Sequence, residues 1–146
     1  VDLDQPPGDI VILSAADTEL ALLAEAATAR GGDAPSVRLA SLGKLAPADG
    51  VNLLLSHSPD VAPEAARAGF DLYLCGHTHG GQIRLPIIGP LATASALGRR
   101  FVMGRKQGDG MTIYTSRGVG MEGLGAPRAR FLCPPEIIIW DFSTSS

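Results

Sequence analysis

The chain has 146 residues, of which 45% are hydrophobic and 18% charged, and this composition suits one globular domain or a large part of one. A net charge of -3 with 5% aromatic residues does not favour a nucleic-acid-binding surface, and two cysteines do not make a disulfide framework. No apolar run approaches the ~18 residues of a membrane-spanning helix, and no signal peptide is recognisable.

The first forty residues predict a β-α-β unit. Residues 9–14 read as an apolar strand, Asp17 or Thr18 is a candidate helix cap, and an apolar stripe predicts a helix from about residue 19 to residue 30. A further strand is expected over residues 37–40. We assign residues 1–42 to this segment and residues 43–146 to the rest of one compact α/β domain.

Two strands that each end in histidine follow in the middle of the chain. Residues 52–56 form an apolar run that leads into His57, and residues 72–75 form a second one that leads into His77 and His79. Glycines beyond the second run allow the backbone to turn sharply. Both units therefore predict a buried strand with histidine just past its carboxyl end.

A short helix is expected between these strands, over residues 63–68. Pro63 lies in its first turn, and Gly69 is a suitable stop. A strand-helix-strand connection of this length predicts parallel, neighbouring strands. The histidines should then meet at one edge of the sheet, where α/β proteins bind ligands.

The three histidines are the only ones in the chain, and their placement predicts a metal site formed by His57, His77 and His79. If the chain stays extended, the i, i+2 pair points in one direction. One alternative is that all three are exposed loop residues. Another is a zinc site built from Cys75 with the later two histidines. Otherwise Cys75 and Cys133 are expected to be buried, reduced thiols.

The last third of the chain changes character after a loop over residues 86–98. Strands over residues 100–103 and 111–114 flank a glycine-rich turn and predict an antiparallel hairpin. Residues 116–120 form a glycine-rich segment of a kind that can contact phosphate. Residues 136–140 predict a closing strand.

Charge is distributed unevenly along the chain. Residues 1–80 hold four Lys/Arg and eleven Asp/Glu, which gives -7, whereas residues 81–146 hold eight and four, which gives +4. A basic half beside the histidines would attract an anionic, phosphate-bearing substrate. For each individual cation of residues 99–106, the alternative is a solvated hairpin charge.

Two motifs carry a family resemblance: LLLSHSPD at residues 53–60 and GFDLYLCGHTHGGQIRLP at residues 69–86. The shorter pieces LGRRF, IYTSRGVG and CPPEI, which come later, also fit. The chain resembles the C-terminal half of calcineurin-like metallophosphoesterases over about residues 43–141. It is most similar to the bacterial branch in which GHTHGGQ runs into a basic, proline-containing segment. The implied fold is part of an α/β sandwich, with a mixed sheet, a βαβ unit and a C-terminal antiparallel hairpin.

The resemblance also implies a ligand set. It places His57 and His77 on one divalent metal ion and His79 on a second, with Mn, Fe, Zn or Ni as the candidate metals. Two such ions would polarise a phosphoester and activate a water molecule, so the nucleophile is solvent and no catalytic side chain is assigned. The implied substrate is a phosphoester, a small molecule or a lipid rather than a protein.

One departure from the family limits these expectations. The family's N-terminal D-x-H, G-D-x-x-D and G-N-H-D/E motifs are not found, and no histidine precedes His57. We expect an incomplete phosphoesterase domain that is inactive by itself. Alternatives are an inactive metal-binding or interaction module, and a half-domain completed by an N-terminal partner half or by exchange within a homodimer. The expected location is cytoplasmic or membrane-peripheral, in a bacterium.

Overall fold

The structure, a computed structural model, describes residues 9–16 and 19–26 as backbone strands and residues 51–121 and 128–140 in full. The strands have these bounds: β1 Asp9–Ala16, β2 Glu19–Ala26, β3 Val51–Leu55, β4 Leu72–Cys75, β5 Arg84–Leu85, β6 Gly89–Pro90, β7 Gly104–Gly108 and β8 Met111–Thr115. Within the described ranges, six of them form a mixed sheet in the order β2-β1-β3-β4-β8-β7, and β5 pairs with β6 separately.

The N-terminal segment differs from its prediction. The strand over residues 9–14 is confirmed within β1, but the helix predicted from residue 19 is wrong, because β2 occupies that position. β2 pairs antiparallel with β1 along its whole length. A run of Leu and Ala fits either element, and here strand pairing decides the outcome over helix propensity. Residues 17, 18 and 37–40 lie outside the described residues, and the boundary at residue 43 stays a prediction.

The unit that bears the first two histidines is built as predicted. β3 and β4 pair in parallel, with Leu54 opposite Tyr73. Between them a 3-10 turn, Pro59–Val61, leads into helix α1, Ala62–Arg67. The chain turns out of the helix at Gly69, whose φ of +86° favours glycine. Among the helices described, none has the length and apolar character needed to cross a bilayer.

The C-terminal part confirms the antiparallel hairpin but moves its first strand. β7 begins at Gly104 and pairs with β8, whereas residues 100–103 are not a strand. Phe101 and Val102 are buried instead. The closing strand predicted over residues 136–140 is also wrong, since the backbone there is irregular. Ile137 and Ile139 are exposed, so this run of three isoleucines is not a strand buried within the sheet.

The core explains why the parallel strands are fixed in register. Aligned residues of three neighbouring strands, Leu54, Tyr73 and Ile113, are fully buried on one face of the sheet. The small residues Ala62 and Ala65 bring α1 close to that face. A slip of one residue would move all three large side chains to the other face, so packing selects the register. The predicted mixed α/β fold is confirmed and is consistent with an α/β sandwich.

Candidate metal centre

Three parallel strands end side by side and are joined beyond their last residues. The amide of Ser56 donates to the carbonyl of Leu74 at 3.1 Å, and the amide of Gly76 donates to the carbonyl of His57 at 3.0 Å. On the other side of β4, the amide of Ser116 donates to the carbonyl of Cys75 at 2.7 Å. The loops after β3, β4 and β8 therefore leave the sheet from one edge, where an α/β fold places ligands.

The first two histidines meet at this edge. Nδ1 of His77 lies 2.9 Å from Nε2 of His57, and the ring centroids are 4.7 Å apart in an edge-on arrangement. One nitrogen donates and the other accepts, depending on the tautomer. The proximity predicted from the parallel connection is confirmed for this pair.

The His57–His77 pair suits a cation. Two imidazole nitrogens on neighbouring corners around one ion, each about 2.1 Å from it, lie roughly 3 Å apart. Burial lowers the pKa of His57, and the nearby His77 and His79 lower it further, so the ring is neutral at pH 7. The separation of the two ring nitrogens matches what a shared divalent ion requires.

The backbone around the later histidines is tightly turned rather than extended. The amide of Thr78 donates to the carbonyl of Gly76 at 2.8 Å, which closes a γ-turn at His77 with φ of +69°. His79 also has positive φ, at +49°. The classic γ-turn is rare and strained, and such outliers concentrate at functional sites. The extended geometry that would point both rings in one direction is therefore absent.

His79 accordingly has different neighbours from His57 and His77. Its Nδ1 lies 3.4 Å from Nη2 of Arg130, and its Cε1 faces Gly120, where an added Cβ would be 3.3 Å away. In the part of the chain that the structure describes, no three His, Cys, Asp or Glu side chains are grouped so that they could hold a metal ion. Two of the predicted ligands come together, and the third is held beside them by an arginine.

Arg130 is the residue that sequence reasoning missed. Its half-buried guanidinium donates to five backbone carbonyls, those of His79, Arg117, Gly118, Gly120 and Cys133. Nε is buried and has no hydrogen-bond partner within the described residues. Five donations to carbonyls tie the histidine loop to the loop after β8. The basic balance of the C-terminal half was the one signal in the sequence, and it did not single out this arginine.

The glycine-rich loop after β8 is fixed by an ion pair. Nε of Arg117 donates to Oε2 of Glu136 at 2.8 Å, Nη2 donates to the same oxygen, and the amide of Arg117 donates to Oε1 at 2.9 Å. Both side chains are largely buried. The ion pair therefore fixes the loop after β8 against the segment that contains Glu136.

Comparison with known proteins adds an independent observation. The metallophosphoesterase YkuE of Bacillus subtilis is 39% identical over 95 residues, which is 65% of this chain and 32% of that protein. The phosphodiesterase YaeI of Escherichia coli is 42% identical over 87 residues, 58% of this chain and 30% of that protein. The chain is homologous to part of a metallophosphoesterase. The family resemblance predicted from the histidine motifs is confirmed, while the assignment to one branch stays a prediction.

The extent of these matches bounds what they establish. A third relative, the metallophosphoesterase Cj0846 of Campylobacter jejuni, is 38% identical over 89 residues, 60% of this chain and 22% of that protein. The chain thus spans about a third or less of the curated relatives it matches. No family model and no solved structure matches the chain.

The alternative zinc site with Cys75 finds no support in the geometry of that residue. Its Sγ lies 3.4 Å from Oγ1 of Thr115 and 3.7 Å from the carbonyl of Tyr114, within the sheet. Burial raises the pKa of Cys75 to about 12, so the thiol is protonated. Both cysteines are free, as predicted; Cys133 is buried, as predicted, whereas Cys75 is only partly buried.

Acid should destabilise the chain through Glu136. Burial alone would raise the pKa of Glu136, but hydrogen bonds from Arg117 and from Tyr114 outweigh it, and the net pKa is lowered from its ordinary value. A carboxylate with a depressed pKa stabilises the fold above its unfolded pKa, and that contribution is lost as pH falls further. We expect stability to fall as the pH drops below the ordinary glutamate pKa of about 4.3.

The matched variant is Glu136→Gln, followed by urea denaturation at pH 7 and at pH 3.5. At pH 7 it should lose about 1.5–3 kcal/mol, the range for hydrogen bonds to charged groups. At the lower pH the difference from the wild type should shrink. An equal difference at both pH values would contradict the assignment of this acid sensitivity to Glu136.

Proposed function

We propose that this chain takes part in phosphoester hydrolysis by metal-activated water. The observation that carries the proposal is the contact between His57 and His77 at the ends of adjacent parallel strands. Homology to part of a metallophosphoesterase supports the same chemistry. Relatives so named imply divalent metal ions, while metal identity, ion number and activity are parts of the proposal.

In this proposal His57 and His77 hold one ion and His79 contributes to a second. When bound, divalent cations would polarise the phosphoryl group and supply an activated water. The chain's own contribution is to lower the pKa of His57 and to hold the two rings at ligand spacing. The strained turn at His77 fixes this spacing before an ion arrives, so little ordering is needed on binding.

Carboxylate ligands must join these imidazoles. Three neutral nitrogens leave the charge of two hard cations uncompensated, and such cations favour acidic oxygen ligands. The described residues hold no metal-binding group of three or more side chains. We propose that the acidic ligands come from outside residues 51–121 and 128–140, whether from the same chain, an N-terminal partner half or a second copy.

The proposed substrate is a small-molecule or lipid phosphoester. From Leu72 to Gly108 the sequence contains cations and no Asp or Glu, so the surface that follows β4 is electropositive. A positive field raises the local concentration of phosphate-bearing molecules. Phosphoesters of the bacterial cytoplasm or of a membrane surface are therefore the proposed substrates.

A second candidate is a metal-binding or interaction module without catalysis. The observation that favours it is that each histidine has a partner within the chain: His57 and His77 contact each other, and His79 contacts Arg130. A site satisfied in this way can persist for structural reasons. It predicts ion binding that is never followed by turnover.

The test combines metal titration with hydrolysis of bis(p-nitrophenyl) phosphate in the presence of Mn²⁺. This chain by itself should bind Mn²⁺ or Zn²⁺ weakly and hydrolyse little substrate, and an assembly that supplies the acidic ligands, such as the chain with an added N-terminal half, should do both well. Absence of metal binding in either form would contradict the proposal. Tight binding by the assembly with no hydrolysis would favour the non-catalytic module, and strong hydrolysis by this chain alone would exclude a need for outside carboxylates.

A further inference from the structure

The β5–β6 hairpin ends in an unusual turn. The amide of Ile88 donates to the carbonyl of Pro86 at 2.7 Å, which closes a three-residue turn around Ile87. Ile87 has φ of +68°, a conformation that is a genuine outlier for a β-branched residue. A glycine would adopt this turn without strain. Isoleucine at the apex costs stability, so stability does not explain why this residue occupies the position.

The same turn exposes its apolar side chains completely. Ile87 is fully exposed, and Ile88 and Leu91 are each more than half exposed. Single exposed apolar residues are ordinary, but three around one hairpin tip form a patch. The tip presents branched aliphatic side chains outward from a rigid, hydrogen-bonded turn.

Two arginines lie beside this apolar tip: Arg84 belongs to β5 of the hairpin, opposite Pro90, and Arg99 contacts the turn. Nη1 of Arg99 donates to the carbonyl of Ile88 at 2.7 Å, so one arginine is bound to the turn itself. Between Asp71 and Asp109 the sequence holds no acidic residue, and it holds the cations Arg84, Arg99, Arg100, Arg105 and Lys106. An apolar tip with basic flanks is complementary to an anionic surface that has an apolar interior.

The hairpin is also packed against the histidine loop. Nη1 of Arg84 donates to the carbonyl of Gly80 at 3.0 Å. A Cβ added at Gly81 would lie 2.4 Å from Cβ of Pro90, so the two segments touch closely. Whatever surface the hairpin tip binds will therefore lie near the edge of the sheet that carries the histidines.

We propose that the β5–β6 hairpin is a docking element for an anionic lipid bilayer, into which Ile87 and Ile88 insert while the flanking arginines contact lipid phosphates. A second copy of the chain fits this patch less well, because the same basic residues would face each other and repel. The proposal concerns where the chain binds, and it holds whether or not the histidine site hydrolyses phosphoesters.

The experiment is vesicle co-sedimentation of the wild-type chain and the variant I87S/I88S. The vesicles contain phosphatidylglycerol and phosphatidylcholine, or phosphatidylcholine alone. The wild type should bind the anionic vesicles, bind the neutral ones much less, and dissociate as salt is raised. The double variant should bind at least about tenfold more weakly, since burial of one isoleucine is already worth about that factor.

The control is I137S/I139S, which replaces two other isoleucines. They are also largely exposed but lie outside the hairpin. It should bind the anionic vesicles as the wild type does. Because Ser at Ile87 could disturb the turn, the variant Ile87→Gly supplies a second readout: it should lose vesicle binding while its thermal stability stays equal or rises. The proposal would be overturned if the wild type did not bind anionic vesicles, or if both double variants lost vesicle binding equally. So would a dimer in solution that the I87S/I88S variant alone abolishes.

Discussion

Replacement of His77 by alanine is expected to reduce the affinity for Zn²⁺ or Mn²⁺ by more than about 100-fold, because loss of even an outer-shell partner of a metal ligand costs roughly 10–100-fold. Nδ1 of His77 lies 2.9 Å from Nε2 of His57, so neither ring alone can replace the pair. Isothermal titration with each metal measures the loss. A thermal shift provides a second reading, because an ion that binds only the folded chain raises its stability.

The variants around this prediction separate binding from folding. His57→Ala should match His77→Ala, whereas Lys106→Ala, an exposed change on the edge strand β7, should leave metal affinity unchanged. Without metal, the histidine variants should lose no more than about 1.5 kcal/mol of unfolding free energy, the value of one hydrogen bond. If all three histidines can be replaced together without any change in metal content or melting temperature, they are not ligands.

His79→Ala tests a finer point. The structure places this ring against Arg130 rather than beside the other two. If His79 belongs to a second ion, its loss should leave the first binding event in place and remove a later, weaker one. A loss as large as that of His77→Ala would show instead that all three rings serve one ion.

The sequence predicted part of this site and not the rest, because only part of it depends on features that a residue pattern reveals. The meeting of His57 with His77 depends on a short helix between two apolar strands, and that connection has one common solution, a parallel neighbouring pair. The direction of the His79 ring depends on two positive φ values, at His77 and His79, which non-glycine residues seldom adopt. No pattern of residue types in this segment predicts such a turn.

The errors in the fold have a similar origin. In β2 the apolar run fits a helix or a strand equally. Pairing with β1 decides between them, and the residue pattern of β2 alone does not contain that contact. Residues 136–140 contain an apolar run that is typical of a strand, but Glu136 is held by Arg117, and Ile137 and Ile139 remain exposed. Arg130 lies far along the chain from His79, so no local sequence pattern could predict that the two residues contact each other.

The second large effect is expected at Gly80, a buried residue of the histidine loop with φ of +64°. A Cβ at this position would lie 2.5 Å from Sγ of Cys133 and 2.8 Å from Cγ of Arg117, distances that real Cβ atoms do not show. Gly80→Ala should cost about 2–5 kcal/mol of unfolding free energy: about 1–2 for a left-handed alanine and about 1–3 for overpacking. Urea denaturation measures it.

Gly69→Ala is the matched control, because Gly69 has a φ of +86° and no atom within 4 Å of an added Cβ. It should show the conformational cost alone, about 1–2 kcal/mol. The difference between the two variants is then the cost of the clash. Adding Cys133→Ala to Gly80→Ala removes the nearest obstructing atom, so the double variant should be more stable than the sum of the single changes predicts. Equal costs at Gly80 and Gly69, or strictly additive changes with Cys133, would mean that the histidine loop can move away from Cys133 freely, and the site edge would then be far less rigid than its hydrogen bonds imply.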